Sequence, residues 1–272
     1  MWKEHQQGSV NSSQMALRTV SLVAQRGSIT VTELAQSLGV AVSTAHRVLA
    51  NCCETGYTLQ PERGGPYLAG PALHELTLSI TGATTLRDAA DGPVQELADQ
   101  TGETVNVAVL EGRKIRFVQS VPGIRPRHVG PRLGETYPAH CTAAGKAMLA
   151  YETAEEFAER YRGHKLEALT PRSITGWACL ANELAEIRAR GWAYSVGETD
   201  EAVSAIAAAV VLSTGRSAAA IAIAMPTSRL ATRREFAEIS GPLLRTTTLV
   251  QRRLRGAREG AAAARYGAPL DE

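Results

Sequence analysis

Ser43, Thr44, His46 and Arg47 fall within five residues on the outward side of a helix whose other side carries Ala45, Val48, Leu49 and Cys52. Hydroxyl, imidazole and guanidinium groups gathered near a helix start reach base edges and phosphate oxygens, which is recognition chemistry rather than bond-making. His140 beside Cys141 offers a base next to a nucleophile, yet adjacent side chains on an extended chain diverge, so the two make a poor catalytic couple. A single His near a helix start reads as a structural hydrogen-bonding residue. Glu198, Asp200 and Glu201 form an acidic cluster that reads as a solvated turn, with one member able to orient a neighbour. The sequence holds no phosphate-binding loop, dinucleotide fingerprint or zinc-enzyme motif. No catalytic residue, no metal and no cofactor is therefore expected. Cys52, Cys53, Cys141 and Cys179 lack paired metal-ligand spacing and follow no secretory leader, which predicts reduced thiols in a cytoplasmic protein.

The elements that position the first group are punctuated clearly. Thr30 and Glu33 have capping-box spacing, Val31, Leu34, Ala35 and Leu38 recur on one helical face, and Gly39 ends the run. A second helix follows within a few residues and carries Ser43 to Arg47. Tyr57–Gln60, the turn PERGGP, then Tyr67 and Leu68 predict a β-hairpin directly after it, and Ser12 or Ser13 can cap a helix through Met15, Leu17, Val20, Leu22 and Val23 that ends at Gly27. Three helices and a two-stranded wing make a winged helix-turn-helix, with Arg63 on the wing turn placed for a phosphate contact.

Further along, Pro71–Ile80 and Leu86–Gln100 predict helices on either side of a polar break. Thr104–Leu110 and Lys114–Val121 predict a hairpin, and Pro122–Pro138 a loop. A short helix follows over Thr142–Tyr151. Its first-turn N–H groups are unpaired and its small residues Ala143, Ala144 and Gly145 let an anion approach, whereas Lys146 reads as a surface charge. Thr153 with Glu156 and Thr232 with Glu235 repeat the capping-box spacing. Leu180–Arg190 predicts a helix, Trp192–Val196 a strand, and the two alanine-rich runs around Ser213–Arg216 a pair of central strands. These runs, Ala205–Leu212 and Ala218–Met225, are too short to cross a bilayer, so no membrane partner is expected.

The 272-residue chain is long enough for two cores, and its formal net charge is only +2. Residues 1–80 balance Lys3, Arg18, Arg26, Arg47 and Arg63 against Glu4, Glu33, Glu54, Glu62 and Glu75. Affinity for DNA grows with the number of phosphates neutralised, so one copy of this half should bind weakly and need a partner.

The segment TELAQSLGVAVSTAHRVLANCCETGY followed by YLAGPALHEL resembles the amino-terminal domain of the IclR family of bacterial transcriptional regulators. HCTAAGKAMLAY resembles a signature helix of that family's effector-binding domain, and RARGWAYSVGETDEAVSAIAAAVV the segment lining its ligand pocket. These motifs stand in the family's order between about residues 12 and 256. The resemblance implies an α+β architecture: a winged helix-turn-helix over residues 10–80, a linker over 81–90, a GAF-like effector-binding domain with a central antiparallel sheet over 91–256, and a disordered tail over 257–272. It implies a homodimer or homotetramer reading a double-stranded, palindromic operator through Ser43, Thr44, His46, Arg47 and Arg63, under control of a small organic effector. Effector contacts would come from Ala143 and Ala144 at the helix start and, at the positions that the resemblance places around the ligand, from Ser195, Ala205, Ala222 and Ala224, where three of the four have lost the polar atoms usual in the family. An effector more apolar than a short keto acid is expected. Ala202 and Ala209 stand where glycine and proline are usual, and Ala41 and Val42 replace a serine cap and a frequent arginine. A lost cap costs about 1 kcal/mol, which leaves a second reading open, a ligand-binding or interaction protein with a weakened DNA reader.

Overall fold

The computed structural model describes residues 12–62, 64–73, 83–230 and 232–266, and the chain divides into two compact units, 1–80 and 81–272. In the first unit α1 (Ser12–Arg26), α2 (Val31–Leu38) and α3 (Val42–Glu54) enclose a core of Met15, Leu22, Val23, Ile29, Leu34, Leu38, Ala45, Val48, Leu49 and Tyr67. Leu17, expected on the apolar helix, is 70% exposed. The two expected wing strands are present, and a third strand from between α1 and α2 pairs with them. β1 (Ser28–Ile29), β2 (Thr58–Leu59) and β3 (Tyr67–Ala69) form an antiparallel sheet in the order β1-β3-β2. The dipeptide β1 was not legible, because two residues carry no periodicity. The helix expected from Pro71 is described as far as Leu73, and residues 74–80 lie outside the described residues.

The second unit begins with α4 (Ala83–Thr101), which runs through most of the stretch expected as a linker. The hairpin β4 (Thr104–Glu111) and β5 (Lys114–Val121) follows as expected, and β6 (Thr136–Pro138) adds a strand inside the expected loop. A 3-10 turn, Ala139–Cys141, leads into α5 (Ala143–Leu149) and α6 (Ala154–Tyr161). Helix α7 (Trp177–Arg190) precedes β7 (Ala193–Val196), β8 (Val203–Val211) and β9 (Ser217–Pro226), the last two being the paired alanine-rich strands. Helix α8 (Arg233–Tyr266) closes the unit. It continues ten residues beyond Gly256, where an irregular tail was expected, since alanines there favour helix once a packed helix precedes them.

The sheet is antiparallel throughout, in the order β6-β5-β4-β9-β8-β7. Both faces are covered. Odd-numbered β9 residues Ile221, Ile223 and Met225 join Ala89, Val94, Phe236 and Leu243 under α4 and α8, whereas Ala220 and Ala222 join Ala143, Ala147, Met148 and Leu180 under α5 and α7. Alternation along β8 and β9 therefore divides their buried side chains between two cores.

Candidate DNA and effector sites

The capping box at α2 is fully formed. Glu33 N–H donates to Thr30 Oγ1, and Thr30 N–H donates to Glu33 Oε2 at 2.7 Å. Gly39 has φ 67°, the left-handed conformation that lets the chain reverse into α3 at no steric cost. Ala41 caps α3 without a side-chain hydrogen bond, as its sequence requires. On α3, Ser43, His46 and Arg47 are exposed and Thr44 is half-buried, while Ala45, Val48, Leu49 and Cys52 face the core. His46 also lines a recess with Thr30, Val31, Thr32, Gln60, Gly64 and Gly65, between the start of α2, the reading helix and the wing. Gln60 Nε2 donates to Gly65 O at 2.8 Å and pins that end of the wing. Arg63 lies outside the described residues.

In the second unit the sheet register arranges the expected effector residues. Ser195 stands opposite Ala205, Ala205 opposite Ala224, and Ala224 opposite Thr104, forming one row across β7, β8, β9 and β4. Ala222 sits in the adjacent row between Ala207 and Asn106. Ala143, Ala144, Ala205 and Ala222 belong to one apolar cluster, and Ser195 and Ala224 share its face by alternation. The six positions are thus brought to one side of the sheet, four on its strands and two on α5, which covers them. Thr142 caps that helix, its Oγ1 accepting from Gly145 N–H at 2.9 Å. A Cβ on Gly145 would lie 2.1 Å from Ala139 O, so glycine is what lets the helix start press against the preceding turn.

Two expectations are corrected here. Lys146 is not a surface charge: it is 2% exposed, and its Nζ donates to Glu198 Oε1 at 2.6 Å. Glu198 is likewise buried, unlike Asp200 and Glu201, and its Oε2 has no partner. Burial pushes the Glu198 carboxyl above its ordinary range, although the Lys146 ammonium opposes that shift. A signal was present. Every neighbour of Lys146 on its helix is apolar, small or glycine, and a helix without a polar face is buried all round.

His140 Nε2 lies 2.9 Å from Glu167 O, and burial lowers the imidazole's pKa. Cys141 Sγ donates to the same carbonyl at 3.4 Å, and burial pushes its thiol up to about 11. A thiol held protonated is no nucleophile at neutral pH, which agrees with a structural role for both residues. Among the described residues no group of His, Cys, Asp and Glu could hold a metal, and no helix is long and apolar enough to cross a membrane.

Residues 79–252 match the family model of the bacterial transcriptional regulator IclR C-terminal domain, and residues 17–61 match that of the IclR helix-turn-helix domain. The chain belongs to the IclR family. It is similar to the HTH-type transcriptional regulator Rv1719 of Mycobacterium tuberculosis, at 33% identity over 228 residues, 82% of this chain and 84% of that protein. The crystal structure of Thermotoga maritima IclR superposes with a TM-score of 0.60 at 25% identity, covering 90% of this chain and 99% of that one. An IclR homologue of Microbacterium hydrocarbonoxydans, solved as a complex with 4-hydroxybenzoate, has the same fold with a TM-score of 0.57 at 22% identity, covering 90% and 100%. IclR-family proteins are transcriptional regulators, not enzymes. This member is a DNA-binding regulator with a ligand-binding carboxy-terminal domain.

Proposed function

We propose that this IclR-family regulator, acting in the cytoplasm as a homodimer or homotetramer, reads a palindromic operator through α3 and releases or grips it in response to an effector with an apolar body and a single carboxylate. The observation that carries the effector class is the row Ser195, Ala205, Ala224 and the neighbouring Ala222, a floor of methyl groups with the Ser195 hydroxyl at its β7 edge. Apolar contact contributes about 25 cal/mol per Å² buried. A two- or three-carbon keto acid would instead leave polar groups unpaired at about 1 to 3 kcal/mol each. An aromatic or branched aliphatic acid fits, its carboxylate met by Ser195 and the first-turn amides at Ala143 and Ala144. The 4-hydroxybenzoate complex of the Microbacterium homologue supports the aromatic option.

Thermal-shift screening tests this. Benzoate-type acids should raise the melting temperature and glyoxylate and pyruvate should not, while Ala224→Ser should move preference toward the smaller acids. Stabilisation by pyruvate alone would overturn the apolar reading.

For the DNA side, Ser43, Thr44, His46 and Arg47 are exposed or half-exposed along one helix, and Arg63 is assigned to the wing by sequence alone. Two copies should protect half-sites about 10 bp apart or a multiple of it. Arg47→Ala should weaken operator binding by about 1 to 3 kcal/mol in gel-shift titrations, with unfolding unchanged because its side chain is outside the core. A variant that binds like the wild type would remove Arg47 from the interface. Failure of the intact oligomer to select any genomic fragment would favour the second reading, a binding protein with a weakened DNA reader.

A further inference from the structure

Beside the floor of methyl groups beneath α5 stands a buried amide whose oxygen has no partner. Asn106, on β4, is 1% exposed, and its Oδ1 has no hydrogen-bond partner. The register sets it directly opposite Ala222 on β9, and strand alternation puts it on the face of Ala108 and Ala220, away from the core of Val105 and Val107. Neither of the polar neighbours on its face bonds to that oxygen. Thr104, two residues earlier on the same face, donates to Val129 O and accepts from Gly123 N–H at 3.0 Å. Ser120, opposite on β5, accepts from Arg132 N–H at 3.2 Å.

A buried amide left unpaired is costly, and a packed core of alanines would be more stable with an apolar residue in its place. The cost is recovered when something supplies the missing partner. We infer that Asn106 is the residue that selects a hydroxyl on the effector, the ligand's O–H donating to Asn106 Oδ1 while its ring or branched body lies on Ala222 and Ala224. Whichever way the amide is turned, it offers one acceptor and two donors, and a hydroxyl, which both gives and takes, satisfies either arrangement. Three strand spacings of about 4.8 Å separate β4 from β7, so Asn106 and Ser195 mark opposite ends of an elongated site. The ligand class is therefore a hydroxylated aromatic or branched acid with its two polar groups at opposite ends. This rests on the apolar-site reading above and narrows it.

Calorimetric titration of the full chain with benzoate, 3-hydroxybenzoate and 4-hydroxybenzoate separates the two. At least one hydroxylated acid should bind the wild type about tenfold or more tightly than benzoate. Asn106→Ala should abolish that ratio without weakening benzoate, and Asn106→Ser, which keeps a short hydrogen-bonding group, should retain part of it. Asn106→Leu should melt at a higher temperature than the ligand-free wild type. If all three acids bind the wild type equally, or if Asn106→Ala keeps the wild-type ratio, the role assigned to Asn106 is overturned while the apolar site stands. If none of them binds and pyruvate does, the apolar site itself is wrong and this inference falls with it.

Discussion

Lys146→Met should lower the unfolding free energy by about 3 to 5 kcal/mol near neutral pH, because it strands the Glu198 carboxylate in a site that water does not reach. The pair joins α5 to the turn between β7 and β8, positions 52 residues apart in sequence, so its loss also loosens the covering helix from the sheet. The effect carries a pH signature. Burial raises the Glu198 carboxyl above its unfolded value, so the folded protein binds that proton more tightly than the unfolded chain does. The stability this contributes is fully present below the unfolded pKa and is lost as pH rises through the folded one. Without the ammonium that opposes it, the folded value climbs further. Urea titrations from about pH 8 down to about pH 5 should therefore show the deficit of Lys146→Met shrinking as Glu198 takes up its proton. Adding Glu198→Gln should recover most of the loss at neutral pH, since a neutral amide is cheaper to bury than an unpaired charge. A deficit under about 1 kcal/mol that ignores pH would mean that water reaches the pair.

Gly145→Ala should cost about 3 kcal/mol, the upper part of the range for forcing extra atoms into a packed core. The added methyl would meet Ala139 O at 2.1 Å and the same residue's carbonyl carbon at 2.5 Å. Both are backbone atoms, and Ala139 N–H is itself bonded to Arg113 O, so the turn cannot swing aside without breaking a contact to β5's end of the sheet. The helix start must lift instead. A melting temperature lower by about 6 to 12 °C would be the readout for a unit of this size, together with weaker effector binding. A variant that melts with the wild type would show that the turn yields, and that the glycine is not needed for close approach.

Both predictions concern one short helix, and the sequence was legible there only in part. The boxes at Thr30, Thr153 and Thr232 could be read, because each is a bond between residues three apart, whereas the Thr142 cap, at the same spacing, was not singled out and takes up the Gly145 N–H of a first turn read as unpaired. Gly39 closed its helix where expected and Gly191 closes α7, both in the left-handed conformation that their side-chain-free backbone permits. The hairpin of β4 and β5 and the alanine-rich pair of β8 and β9 followed from β-branched residues recurring in short runs and from the turns of a few residues that divide them. The motif resemblance supplied the family, which the outward-facing polar residues on α3 could not have separated from an ordinary helical hairpin.

What local signals could not supply was decided by pairing across long stretches of chain. β1 and β6 are too short to show periodicity and exist because β3 and β5 offer them a hydrogen-bonded edge. Asp200 and Glu201 stay in solvent while Glu198 is buried, although all three look alike in sequence, because only Glu198 meets the ammonium carried in on α5. Asn106 reads as one polar residue in an apolar strand, and only the assembled order β5-β4-β9, which sets Ala222 opposite it, shows that its oxygen is left unpaired. Caps, turns and alternation are set by neighbours within about four residues, so the chain announces them; which charge is buried and which amide is orphaned depends on surfaces that meet only once the sheet is assembled.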